Sequence, residues 1–353
     1  MLSLKNALSV GLLLVAKMVF AQIPETPFTE FTYNPANCQG IRHVSGSEIF
    51  IPEQAFVLKS TGKYCSKKIT IKYREFHSQA DMVAANIPMT FMQGKKKHQL
   101  ESGGMFEILA FCNDEPMELA KGKKIQVRFA CKNDLENLDA FYFEPEKGWQ
   151  LLNTPVTDFS VRKDGRNLGE LWGNIPPQPT IETTSTVRYS VEITEEIIVN
   201  QRSVGENVQN YETEQQSLFR KAPGMFRGMD ISKMGLYNFD RVLNETGNIP
   251  ITANFMLKSG EKVDTKVYVT YSGINTVVYY MPSDWQNFAL LPRKDIQIFT
   301  ILNDGKVAQV APRVVKTTNF GLYKNKPFTF ELEVVEGAPQ TKEQLAQKTG
   351  INP

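Results

Sequence analysis

Lys68-Ile69-Thr70-Ile71-Lys72-Tyr73-Arg74-Glu75-Phe76 sets Ile69, Ile71 and Tyr73 against Thr70, Lys72 and Arg74. Successive side chains of a strand point to opposite faces, so a period of two marks a strand with one face buried and one wet. Residues 105–112, 125–131, 266–271, 296–302 and 328–334 repeat the pattern. Turn chemistry separates the runs, in Lys163-Asp164-Gly165, Ser259-Gly260 and Asn303-Asp304-Gly305. Asn, Asp and Gly tolerate positive φ, so the last of these predicts a hairpin tip. Many short strands between such turns predict an all-β protein made of antiparallel β-sandwiches.

Ile175-Pro176-Pro177-Gln178-Pro179 cannot feed a central strand and favours extended polyproline geometry. It predicts two β-sandwich domains, over residues 36–174 and 225–335, joined by a Pro-rich linker and polar excursion over 175–224. Within that excursion, residues 184–199 read as a strand, and 205–221 are Glu/Gln-rich and read as a short helix or loop. The tail, 336–353, carries Thr341 with Gln344 three residues on, a capping box, and Gly350 as a helix stop. A short C-terminal helix follows from that spacing.

Residues 1–21 hold a lone early Lys5, an apolar run over 7–16, and Val19-Phe20-Ala21. These are the parts of a secretory signal cleaved after Ala21, leaving Gln22 first. The run is shorter than the ~20 apolar residues a membrane span needs, and no later segment reaches that length. The expectation is an exported chain without a transmembrane segment after signal cleavage.

Formal charge is +2 with 40 basic and 38 acidic residues, and Lys5 and Lys17 both lie in the signal. The mature chain is therefore close to neutral, which argues against a nucleic-acid partner. Charge is uneven. Residues 42–132 hold 15 Lys/Arg against 9 Asp/Glu, with runs at Lys67-Lys68, Lys95-Lys96-Lys97 and Lys121 through Lys124. Residues 181–220 hold 3 basic and 7 acidic residues. Such runs serve as solvated loop tips, or as electrostatic contacts with a partner or acidic lipid.

Four cysteines, Cys38, Cys65, Cys112 and Cys131, suit two disulfides in an oxidising compartment. Three pairings exist. Cys112 is in phase with Phe106, Ile108 and Ala110, and Cys131 with Ile125, Val127 and Phe129, which favours Cys112–Cys131 with Cys38–Cys65. No CxxC or Cys/His metal spacing occurs, and no cofactor motif is present.

No GxSxG elbow is present, and His77 and Ser78 are neighbours that a strand would point apart. His98 follows three lysines and reads as solvent-facing. Paired carboxylates for glycoside hydrolysis would be Glu75 with Asp81, or Glu101 with Glu107 around the flexible Gly103-Gly104. Glu75 is equally placed to pair with a Lys or Arg across its sheet. Asn133, Asp134, Glu136, Asn137 and Asp139 are oxygen ligands of the kind calcium takes, without EF-hand spacing. Trp149, Trp172 and Trp285 offer rings for sugar stacking or core packing. Met225, Phe226, Met229 and Met234, with Gly224 and Gly228 beside them, read as core or as an adaptable apolar patch for a partner.

Several segments together resemble a known architecture. Ile51-Pro52-Glu53-Gln54-Ala55-Phe56 leads into the 68–76 strand. Ile87-Pro88-Met89 and Leu100-Glu101-Ser102-Gly103-Gly104-Met105-Phe106-Glu107-Ile108 follow. Their order is similar to the β-sandwich modules of netrin receptors and ankyrins. More closely, it resembles a family of exported bacterial proteins in which such a domain precedes a second β domain, here marked by Met234-Gly235-Leu236-Tyr237-Asn238-Phe239-Asp240. The resemblance covers residues 45–172 and 225–310 and carries no catalytic residues across. It extends to components of type IX secretion, where a periplasmic plug seals an idle outer-membrane translocon.

The expectation is a non-enzymatic, exported binding or scaffold protein that meets an outer-membrane or cell-surface protein through residues 180–230. The alternatives are a carbohydrate-binding or adhesion module and a hydrolase built on one of the carboxylate pairs.

Overall fold

The computed structural model describes residues 23–94, 96–133, 135–160, 225–243, 248–293 and 295–353. The expected signal at 1–21, the linker and excursion at 175–224, Trp172 and Asp134 lie outside them.

The chain is all-β, with several sheets and a short C-terminal helix. It runs through β1 (Thr29–Tyr33), β2 (Gln39–Arg42), β3 (Glu48–Ile51), β4 (Phe56–Leu58) and β5 (Ile69–Phe76). Then come α1 (Gln79–Ala84), β6 (Thr90–Gln93), β7 (Lys96–Cys112), β8 (Glu115–Leu119) and β9 (Ile125–Ala130). β10 (Asp139–Glu144), β11 (Gly148–Leu151), β12 (Thr157–Ser160), β13 (Met225–Ile231) and β14 (Gly235–Val242) follow. The remainder is β15 (Ile249–Leu257), β16 (Val267–Tyr271), β17 (Ile274–Tyr280), β18 (Phe288–Leu290), β19 (Ile296–Ile301), β20 (Val307–Val310), α2 (Pro312–Thr317), β21 (Pro327–Val334) and α3 (Lys342–Thr349).

The quoted strand is β5, and its burial alternates as its sequence does, with Ile69, Ile71 and Tyr73 inward. It pairs antiparallel with β1 and β7. A second sheet, in the order β12-β13-β9-β3-β2, faces this one across a core that includes Tyr73, Phe106, Phe129 and Phe239. Alternating strands with apolar inner faces build a sandwich in this way. The segments that carry the resemblance fall here, on β3, β4, β5 and β7.

Strand β7 is long because it serves two partners on one edge. Residues 96–99 pair with β6 and residues 105–111 with β5. Gly103 and Gly104 sit at the changeover, beside the register shift that β14 makes at Asn238. Through β6, the strands β7, β14, β10, β11 and β6 close into a small ring. A Cβ on Gly103 would lie 2.2 Å from Leu138 Cδ1 and 2.9 Å from the Phe239 carbonyl oxygen. Gly104 has φ +127° and would drive a Cβ to 2.3 Å from Phe129. The pair is thus tightly packed, not the flexible site its sequence suggested.

The expected start of the second domain at 225 needs correction. β13 pairs with β9 and β12, and β14 with β7 and β10, so residues 225–242 complete the N-terminal body. Ser160 and Met225 are cross-strand partners. The chain therefore re-enters the N-terminal body where it left it, and the Pro-rich stretch does not lead from one sandwich into the next. The second body is the seven-stranded sheet β17-β16-β19-β20-β21-β15-β18, whose inner face holds Phe255, Val269, Ile298 and Phe330. One of its pairs, β15 with β21, is parallel. The Asn303-Asp304-Gly305 tip joins β19 to β20, with Gly305 at φ +80°.

The outer face of that second sheet is also covered. Tyr268, Val277, Phe299 and Val307 pack against Met82, Val83 and Phe76 of the first body and against Leu345 and Ile351 of the tail. Helix α3 starts on Thr341, whose hydroxyl accepts from the Gln344 amide at 3.2 Å, and ends on Gly350 at φ +75°. Gln79 knits the seam. Its side-chain NH2 donates to the carbonyls of Tyr271, Ile274 and Thr276, and its Oε1 accepts from the Asn352 amide at 3.0 Å. Lys342 pairs with Asp81, which also caps α1.

Candidate functional site: buried polar clusters and the seam cleft

Strand β5 places Tyr73 and Glu75 on one face, and the β2–β3 turn brings His43 over them. Glu75 Oε2 is 2.7 Å from His77 Nε2, and Glu75 Oε1 accepts from the Tyr73 hydroxyl at 2.8 Å. His43 Nδ1 lies 3.6 Å from Glu75 and 2.8 Å from Ser45 Oγ, while its Nε2 meets Thr29 Oγ1 at 3.2 Å. His77 stacks on Phe129 with centroids 4.9 Å apart. Burial by itself would raise the Glu75 carboxyl. The His77 hydrogen bond and the charges of His77 and His43 outweigh it and hold the group down at about 2. Burial lowers His43.

A catalytic triad holds the imidazole by one nitrogen and uses the other on the nucleophile. Here Nδ1 of His43 faces both the carboxylate and Ser45 and Nε2 meets the Thr29 hydroxyl, but neither seam cleft is lined by these side chains. The cluster works as an internal fastener between β5 and the β2–β3 turn. The Lys or Arg partner expected for Glu75 belongs instead to its neighbour, since Arg74 reaches across the sheet to Glu107 at 2.7 Å.

That ion pair also separates the proposed acid pairs. Glu107 is held by Arg74 and Glu101 by Arg241 at 2.7 Å, on opposite sides of the Gly103 changeover. Asp81 caps α1, binds Lys342 and accepts from the His77 amide at 2.9 Å, so it is committed to the helix start and not turned to Glu75. A second buried cluster was not anticipated. Ser102 donates to Asn238 Oδ1 at 2.9 Å, and Asn238 donates to Asp240 at 2.5 Å, all three fully buried. Burial raises the Asp240 carboxyl well above its ordinary value, which favours the neutral acid. Its pattern in sequence, Asn238 and Asp240 in phase with Leu236, is that of an inward strand face and could have flagged it.

The cysteine pairing is corrected. Cys65 bonds to Cys112, while Cys38 is exposed and free and Cys131 is buried and free. Phase places Cys112 and Cys131 on facing surfaces but does not set their height. Phe129 packs beside Gly104, so Cys131, two residues on, lies by the middle of β7 and not by Cys112 at that strand's end. Burial pushes the Cys131 thiol up to about 12.

The apolar patch is corrected too. Phe226 and Met229 are buried on β13, and Met225 and Met234 pack half-buried against the same core. Between them Arg227, fully buried, donates to the Gly103 carbonyl at 2.9 Å and to Asn133 Oδ1 at 3.2 Å, tying the two sheets together. The bond to Arg227 commits Asn133, first of the expected calcium ligands. Among the described residues no three His, Cys, Asp or Glu side chains converge as a metal site. Trp149 is buried and donates Nε1 to the Pro88 carbonyl at 2.5 Å, and Trp285 packs edge-on to Phe255. Neither ring faces solvent as a sugar platform would.

Two clefts flank the seam, of about 480 and 380 Å³. The larger runs between residues 96–99 of β7 and the Tyr280, Asn287 and Ala289 side of the second body, over Leu243, Val278 and Leu291. The smaller lies between Val83, Asn86 and Ile23 on one side and Lys266, Tyr268 and Ile301 on the other. His98 faces the larger cleft half-buried, not out to solvent, and its Nε2 is enclosed without a hydrogen-bond partner, as is Gln99 Oε1. The lysine run had marked this strand. Its role as a wall needed the second body opposite.

No helix among the described residues is long and apolar enough to cross a membrane. No protein family matches the chain, and neither does any curated protein or solved structure.

Proposed function

We propose that this chain is an exported, non-enzymatic binding protein of a periplasmic or outer-membrane-associated assembly. Its specific form would be a plug-like component of the type IX secretion translocon that works by occlusion. The observation that carries the proposal is the pairing of Ser160 with Met225. Residues 161–224 lie between two strands that pair with each other, so both ends of the segment are held at one place. Stable sheets with functional segments inserted between strands are a common division of labour. The segment is locally acidic over 181–220. Of the 180–230 stretch we take residues 180–224 as the contact surface, because Phe226 and Met229 beyond them are buried in the core.

The test replaces residues 161–224 with Asn-Gly, the two-residue turn that suits paired antiparallel ends. The shortened chain should keep its circular dichroism and unfolding midpoint. Affinity purification from native membranes with mass spectrometry should recover an outer-membrane protein with the full chain and lose it with the shortened one. Recovery of the same protein by both, or of none by the full chain, refutes the proposal. N-terminal sequencing of the exported form should begin at Gln22.

A further inference from the structure

Lys96, Lys97, His98 and Gln99 are consecutive in β7, and all four line the larger seam cleft. Consecutive strand residues face opposite ways. They border one cleft together only if the cleft follows the strand's edge. One edge of this stretch is taken by β6, in the pairs Gln93↔Lys96 through Thr90↔Gln99. On the other edge, pairing with β14 begins at Leu100↔Val242 and is extended by the Leu243 amide donating to the Gln99 carbonyl at 2.9 Å. No described strand pairs with Lys96, Lys97 or His98 on that side.

The opposite wall is also a sheet boundary. β18, which contributes Ala289, is the last strand of its sheet, and β17, which contributes Val278 and Tyr280, is the first. The floor of Leu243, Val278 and Leu291 is aliphatic, and the rims carry the amides of Gln99, Asn248 and Asn287. The charge is one-sided. Lys96 and Lys97 are exposed and have no carboxylate partner among the described residues, and the Lys97 ammonium stands 6.0 Å from the Tyr280 ring. Among the described residues the one acid on the lining, Asp284, accepts from the Met281 amide at 3.1 Å.

We propose that this cleft binds an extended acidic segment of a partner polypeptide, laid along the edge of β7 that no described strand takes. Backbone pairing supplies affinity for an extended chain of any sequence, and alternate side chains supply selectivity. The two lysines select Asp and Glu, the apolar floor takes the intervening side chains, and the enclosed His98 Nε2 and Gln99 Oε1 gain partners. No lining residue falls within 161–224, and the test below does not depend on the proposal above.

The test uses the full mature chain and a fluorescein-labelled ten-residue peptide of alternating Glu and Val, with a Gln-for-Glu counterpart. Anisotropy should show saturable binding of the acidic peptide that weakens as salt rises. Binding should fall at least tenfold in K96E/K97E and less than threefold in K121E/K123E, which makes the same change in net charge on another exposed loop. Circular dichroism checks that both variants are folded. Absence of binding, equal loss in the two variants, equal affinity for the Gln peptide, or displacement by free citrate as effective as by unlabelled peptide would each overturn the proposal.

Discussion

Replacing Glu75 by Gln keeps the shape of the side chain and removes its charge. In the folded protein the carboxyl sits at about 2 against an ordinary 4.5. At about 1.4 kcal/mol per unit this difference is worth about 3 kcal/mol. A carboxyl depressed by folding stabilises above its unfolded pKa, and that contribution fades as pH falls towards the folded one. The E75Q protein should therefore be about 3 kcal/mol less stable than the wild type at pH 7. The gap should narrow from about pH 5 downward and nearly vanish by pH 2. Guanidinium unfolding of both proteins across pH 2–7, followed by tryptophan fluorescence, reads the gap directly. Acidification also charges His43, which burial disfavours and the Glu75 charge favours, so its protonation adds to the pH dependence of the gap. A deficit of constant size from pH 7 to pH 2.5, or none at pH 7, would refute the placement of Glu75 as a buried, charged acceptor.

Gly103→Ala forces a Cβ against Leu138 and Arg227, and should cost about 1–3 kcal/mol or more in the same unfolding assay. Replacing Cys65 and Cys112 by Ser opens a loop with sequence separation 47, and should cost about 4 kcal/mol in the chain-entropy model. Peptide mapping without reduction should show Cys65–Cys112 and free Cys38. Leu345→Ala removes a fully buried contact of the tail with both bodies, and should lower stability by about 2–5 kcal/mol and speed proteolytic release of the tail. Asp240 has a raised carboxyl, so the folded state holds a proton the unfolded state releases, and wild-type stability falls as pH rises above the ordinary carboxyl value. Asp240→Asn should gain on the wild type as pH rises above about 4, measured as the change in unfolding midpoint.

Much of the local structure was legible because it depends on neighbours in sequence. β5, β9, β19 and β21 lie where the period-two runs placed them, and Thr341 and Gly350 bound the last helix as their chemistry demands. What was misplaced depends on distant contacts. β16 reads as half-exposed, yet all five of its residues are buried, because the first body and the tail cover its outer face. Lys96 and Lys97 read as a loop tip and are strand, because β6 pairs with them. The histidine–carboxylate cluster joins residues 43, 75 and 77, whose meeting no spacing rule announces.

Sequence alone determined that the chain is β-structured, where most strands begin and turn, and how the last helix is capped, since periodicity and φ preference act within a few residues. Only the tertiary structure decided that residues 225–242 belong to the first body, that Cys65 meets Cys112, and that a basic strand edge faces a second sheet across a cleft. Each of those turns on which sheets face one another and at what height, and that is fixed by packing between segments far apart in the chain.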